Sequence, residues 1–161
     1  EKVLFDSGDP YKVVDFFPSG SDERQFCSPA FNLPVGSLMR SMYGHFPEYH
    51  TSADNLSFIS REHFADSFKK YWNIIFILEN NRVFMNLNPK CEPQLGKRGI
   101  YSMLGGTKKE SADKLSLLWV LNLSDGKNSV LDIAVRAEIP FIHVKKAADI
   151  LLEKSLIAIK Q

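Results

Sequence analysis

Apolar positions along the chain follow two periodicities, that of strands and that of helices. Val13-Val14-Asp15-Phe16-Phe17 is β-branched and aromatic and stops at Pro18, which predicts a short strand. Asn32–Arg40 predicts a second strand, with Pro34 near its start, where a missing N–H is tolerated. Gly44 to Asn55 is polar and aromatic without periodicity and reads as a loop. Ser60 is a good N-cap residue, and Phe64, Phe68, Tyr71, Trp72, Ile75 and Leu78 follow at helical spacing. They predict a long helix with one apolar face, ended by Asn80-Asn81. From Val83 to Gly106 the pattern is lost, and Pro89, Pro93, Gly96, Gly99, Gly105 and Gly106 punctuate a linker.

The last third predicts three helices and a strand. Leu115, Leu118, Trp119 and Asn122 share one face of a helix that stops before Gly126. Ser129-Val130-Leu131-Asp132 has capping-box form and opens a second, short helix. Ile139-Pro140 breaks it, with Pro140 placed as the first residue of a third helix. Val144, Ala147, Ala148, Leu151 and Leu152 form the buried face of that helix, and Leu156–Ile159 closes as a strand. This order within about 50 residues is the winged-helix pattern, a variant of helix-turn-helix. The organisation expected is a first segment over 1–85, a linker over 86–110 and a winged helix over 111–161.

Composition narrows the setting. Hydrophobic residues make up 44% and charged residues 24% of 161, a globular mixture. The net charge of +1 gives no bulk attraction to nucleic acid or to an anionic membrane. No apolar run approaches the ~18 residues of a membrane span. The start has no signal-peptide pattern. Cys27 and Cys91 are far apart, so a disulfide scaffold and a four-cysteine zinc site are both excluded, and a cytoplasmic setting is expected. The chain opens on Glu1 and runs at once into an apolar stretch, as expected of a piece of a longer protein.

Of the four histidines, His143 lies among apolar neighbours in the third helix and reads as a helix-surface or core residue. His63 falls in the first turn of a helix and reads as solvated, and His45 has no partner at metal-ligand spacing. His50 differs by its company. Pro47-Glu48-Tyr49-His50-Thr51-Ser52-Ala53-Asp54-Asn55-Leu56 resembles the last metal-ligand motif of the M28 family of zinc aminopeptidases, an aromatic and His followed closely by Asp before a long helix. The resemblance implies an open α/β sheet with two zinc ions between strand-end loops. It makes His50 a zinc ligand, Tyr49 a donor to the tetrahedral oxyanion, and Asp54 a residue that orients the loop or the His. Gly20-Ser21-Asp22 sits where that family has a loop lining the substrate pocket, so Asp22, Glu23 and Arg24 are candidate substrate-binding residues. The sequence continues Glu23-Arg24 where the common form has His. The run from Gly20 to Gln25, Phe31–Ser37, Asn86–Gly99 and Leu118–Gly126 are similar to a bacterial branch of aminopeptidase-like proteins that end in a winged helix.

The fold class implied is α/β for the parent, seen as α+β in this piece: a partial aminopeptidase-like sheet-and-helix segment followed by a small winged helix. A two-zinc hydrolase also needs a bridging carboxylate, further ligands and a carboxylate base. The family's His-x-Asp motif and Glu-Glu pair are absent from this chain. Zinc and a peptide-like substrate are therefore expected of the intact parent. The chain by itself need hold no metal and is expected to be inactive. The missing N-terminal part is its expected partner, and an unpaired sheet edge predicts a homo-oligomer. The alternative is a winged-helix regulator that binds DNA or protein and catalyses nothing. Over 108–161, nine Lys/Arg against seven Asp/Glu, with no Arg, Asn or Gln in the third helix, argue against base readout and leave no DNA-binding residue to name.

Overall fold

Ser60 starts the longest helix among the described residues, as its position predicts: its hydroxyl accepts from the His63 N–H at 3.4 Å. In the computed structural model, which describes residues 1–18, 20, 22–100 and 109–160, this helix is α3, Arg61–Asn80. It follows α1 (Lys2–Ser7) and α2 (Asp22–Phe26). The chain divides within it, into a first unit of Val3–Tyr71 with Glu1 and a second of Trp72–Gln161 with Lys2.

In the first unit the segments outside the helices are irregular. Val13–Phe17 and Asn32–Arg40, expected as strands, are not strands. Val13, Val14, Phe16 and Phe17 are all exposed. β-propensity measures fit to a pleated, half-buried surface, and among the described residues of this unit no strand lies beside them to supply one. Polar ties hold these segments to the start of α3 instead. Arg40 bonds Asp66, Lys70 Nζ reaches Asp9 Oδ2 at 2.8 Å and also bonds Asp66, and Tyr71 donates to the Leu38 carbonyl at 3.0 Å. The hydrogen bond from Lys70 holds the Asp66 and Asp9 carboxyls below their ordinary range.

The apolar face of α3 lies at the expected positions and is largely exposed. Phe64, Phe68, Tyr71, Trp72, Ile75 and Leu78 are 48–69% exposed, and Ile77 alone in the helix is buried. Six large apolar side chains on one helical stripe are far from the scattered single exposures of an ordinary surface.

The second unit is a closed α+β body. Val83–Asn86, within the stretch expected to have lost its pattern, is strand β1. After it come α4 (Lys109–Leu123), β2 (Asp125–Ser129), α5 (Val130–Arg136), α6 (Phe141–Glu153) and β3 (Ile157–Ile159). The sheet order is β2-β1-β3, antiparallel throughout. Val83 faces Ser129 and Met85 faces Asp125 on one side; Phe84 faces Ile159 and Asn86 faces Ile157 on the other. Part of the expected linker also enters the core, since Leu95 and Ile100 flank a 3-10 turn at Gly96–Arg98 and are buried.

The core gathers Leu117, Val120 and Leu121 of α4, Val130, Ile133 and Ala134 of α5, and Val144, Ala147, Ala148 and Leu151 of α6. The face expected of α4 is rotated. Leu115 is exposed and Ser116, Leu117, Val120 and Leu121 point inward, because an apolar run of Leu117-Leu118 and Val120-Leu121 fits two adjoining helical stripes equally well. Leu152 is likewise at the rim rather than inside. The capping box at Ser129 forms in full, and Pro140 is the N-cap of α6 rather than its first residue. Phe76, near the end of α3, meets Phe141 edge-on with ring centroids 6.1 Å apart.

Candidate functional site

The loop before α3 is folded by its own small polar residues. Thr51 Oγ1 donates to the Glu48 carbonyl at 2.9 Å and accepts from the Ala53 N–H, and Asn55 Oδ1 accepts from the Ser57 N–H. Thr and Asn make such local turns readily, which explains the absence of any apolar period here. Within this loop His50 takes a left-handed backbone, φ 58°, a conformation that side chains with a Cβ adopt at a cost. Its ring lies parallel to that of Tyr49, centroids 4.0 Å apart and planes within 14°. Tyr49 in turn touches Phe46 edge-on at 5.6 Å and lies 6.1 Å from Tyr43. Phe46 stacks on Phe58 at 5.8 Å. The result is an aromatic ladder that fixes Tyr49 and presents an exposed imidazole.

Glu23 joins the same unit from α2. Ser37 donates its hydroxyl to Glu23 Oε1. The carboxylate lies against Gly20, where a Cβ would come within 2.6 Å of Glu23 Oε2 and 3.3 Å of the Tyr43 hydroxyl. Gly20 also has φ 80°, a left-handed backbone that favours glycine. Ser37 thus holds Glu23, and Tyr43, Tyr49 and His50 form an aromatic series whose Tyr43 hydroxyl lies near the same side of Gly20 as the Glu23 carboxylate. Ser37 and Tyr43 were not legible as members, since Ser37 lies fourteen residues from Glu23 in a stretch that reads as strand.

The other expected residues stand outside this series. Asp22 and Arg24 are exposed on α2 and form no hydrogen bond with it. Asp54 is exposed, and its backbone N–H turns back to Thr51 at 3.1 Å. No hydrogen bond joins Asp54 to the His50 ring, so the structure gives it no orienting contact. Among the described residues no three His, Cys, Asp or Glu side chains come together as a metal site. One imidazole is short of the three protein ligands a catalytic zinc takes. The donors of this chain alone do not fit a resident zinc.

The second unit has one coupled cluster. His143 Nδ1 lies 3.0 Å from Asp113 Oδ1 and Lys146 Nζ 3.4 Å from Asp113 Oδ2, tying α6 to α4. Burial pushes the Asp113 carboxyl up, but His143 and Lys146 outweigh it and hold it below its ordinary range. His143 is therefore a partnered helix residue, as its neighbours imply. Lys145 is paired with Asp149 at 2.6 Å, so both lysines midway along α6 face a carboxylate of their own unit. No helix among the described residues is long and apolar enough to cross a membrane.

Residues 1–81 match the family model described as "Domain of unknown function (DUF4910)", and residues 82–159 match that described as "winged helix-turn-helix". A Clostridium acetobutylicum protein described as "Putative polysaccharide biosynthesis protein with aminopeptidase-like domain" is 59% identical over 157 residues, 98% of this chain and 36% of its own length. A crystal structure of a "putative peptidase" from Clostridium acetobutylicum is 53% identical with a TM-score of 0.87, and the match covers 99% of this chain and 34% of that one. The chain therefore spans about a third of the length of these relatives.

Proposed function

Because the chain belongs to the DUF4910 family over residues 1–81 and carries a winged helix-turn-helix over 82–159, we propose that it is the C-terminal portion of a cytoplasmic, M28-like zinc aminopeptidase. Its substrate would be a peptide-like molecule cleaved at the N-terminal amide. His50 supplies one zinc ligand, and the others come from the preceding two-thirds of the parent. The observation that carries this reading is the strained backbone of His50, which holds an exposed imidazole flat on Tyr49. Strain at a loop residue is commonly kept where it serves a site. The relative at 59% identity, whose name includes an aminopeptidase-like domain, supports this class of chemistry.

On this reading the residues present do three things. His50 presents a ring nitrogen in a fixed direction. Tyr49, clamped between Phe46 and His50, donates its hydroxyl to the oxyanion formed when water attacks the scissile carbonyl. The uncovered stripe of α3 packs on the preceding part of the parent, or on a second copy when that part is absent. The chain alone is expected to turn nothing over, since among its described residues no three His, Cys, Asp or Glu side chains come together. The winged helix serves protein packing rather than DNA, a reading supported by the pairing of Lys145 with Asp149 and of Lys146 with Asp113 within their own unit.

The test is metal content and aminopeptidase turnover of the intact parent, with His50→Ala alongside. Zinc and activity that both fall in the variant are the expected result. A metal-free, inactive parent that is indifferent to the substitution would sink the proposal.

A further inference from the structure

The second unit has a cavity of about 120 Å³, lined by the end of α3, β1, the start of α5, α6 and β3. Its apolar wall is Phe84, Val130, Ala148, Leu152 and Ile159. Phe84 and Ile159 are cross-strand partners, so their side chains share one face of the sheet. Phe84, Val130 and Ala148 are buried, whereas Leu152 and Ile159 border the opening and are 37% and 51% exposed. An apolar cavity of about 150 Å³ admits a benzene ring, so this one has room for a branched aliphatic group.

Four charged residues line the same cavity: Glu79, Arg82, Lys145 and Asp149. Lys145 is paired with Asp149 at 2.6 Å. Among the described residues neither Glu79 nor Arg82 stands in an ion pair, with the other or with a third group. Arg82 Nη1 donates to the Asn81 carbonyl at 2.9 Å, which leaves most of the guanidinium's donors open. The four charges sum to zero, which suits a zwitterion better than a net anion or cation. A carboxylate, a guanidinium and an aliphatic wall match, in that order, the ammonium, the carboxylate and the side chain of an aliphatic amino acid.

We propose that this cavity binds a free aliphatic α-amino acid. Its carboxylate meets the Arg82 guanidinium, its ammonium meets Glu79, and its side chain enters against Phe84, Val130 and Ala148. A peptide fits less well, because each of its termini carries only one of the two charges. The proposal does not rest on the hydrolase reading, and it assigns the cavity binding and no catalysis.

The test is ligand-observed NMR titration of the whole chain with L-leucine, N-acetyl-L-leucine and L-leucinamide. Acetylation removes the ammonium and amidation removes the carboxylate, and each is expected to weaken binding about tenfold. Glycine, with no side chain to bury, is expected to bind about tenfold weaker than leucine. In Glu79→Gln the penalty for acetylation disappears and that for amidation remains. In Arg82→Gln the reverse holds. Both side chains are exposed, so neither exchange is expected to unfold the unit. A merely structural role would weaken all the leucine probes alike. No binding of L-leucine, equal affinity for the three leucine probes, or penalties that ignore both substitutions overturns the proposal.

Discussion

Ser129 closes strand β2 and caps helix α5, and its replacement by Ala separates those two duties. Its backbone stays in register with Val83, while the side chain is lost. That side chain accepts the Asp132 N–H at 3.2 Å and donates to Asp132 Oδ2 at 2.7 Å; Oδ2 also accepts the Ser129 N–H at 2.8 Å. A serine cap replaced by alanine costs about 1 kcal/mol. Asp132→Ala removes the reciprocal half and should cost a similar amount. Because the bonds join the same two residues, the double variant should cost little more than either alone, a coupling of at least about 0.5 kcal/mol. Urea unfolding of the whole chain, followed by fluorescence of Trp72 and Trp119, reads this unit, since both tryptophans belong to it. The Ser129 hydroxyl, then its N–H, hold the Asp132 carboxyl below the ordinary carboxylate value. The stabilisation is therefore complete above that value and is lost as the pH falls through the lower, folded one. The wild-type advantage over Asp132→Asn should fade in that acid window and be constant between pH 5 and 7. Strictly additive losses, or an advantage that grows on acidification, would refute the reasoning.

Two further outcomes follow from the packing. Leu151→Ala, at a fully buried position of α6, should cost about 2–5 kcal/mol in the same urea assay, against under about 0.5 kcal/mol for Ile142→Ala on the exposed side. Ile75→Glu on the uncovered stripe of α3 should shift the isolated chain towards monomer in sedimentation velocity and lower its binding of a hydrophobic dye; an unchanged sedimentation profile would show that the stripe does not drive association.

The helices were legible because their signals are local. Ser60, the Ser129 capping box and Pro140 mark helix starts through chemistry within three residues, and each start lies at or one residue from its expected place. The winged helix was readable for the same reason. What failed was whatever depends on a neighbour far along the chain. Val13–Phe17 and Asn32–Arg40 have strand composition, but a strand is completed by its partner, and this unit supplies none among its described residues. β1 was missed for the converse reason. Val83–Asn86 is four residues long, and its two antiparallel partners come about 40 and 70 residues later. At the candidate site, Tyr49 and His50 were singled out by motif and Glu23 by its loop. Ser37 and Tyr43 enter only through folding, since neither spacing nor composition links them to Glu23.

Only Asn81 and Arg82 separate α3 from β1, and β1 is the middle strand of its sheet. The winged helix is thus not a bead on a tether that can be clipped off at the first glycine- and proline-rich stretch. A cut at residue 85 or 86 would remove the strand against which both β2 and β3 are paired, and would strip away Phe76, the ring that meets Phe141. A self-contained excision has to begin upstream of Trp72 and carry the last two turns of α3 with it. The two family models meet between Asn81 and Arg82, in the two-residue connector that leads from α3 straight into β1.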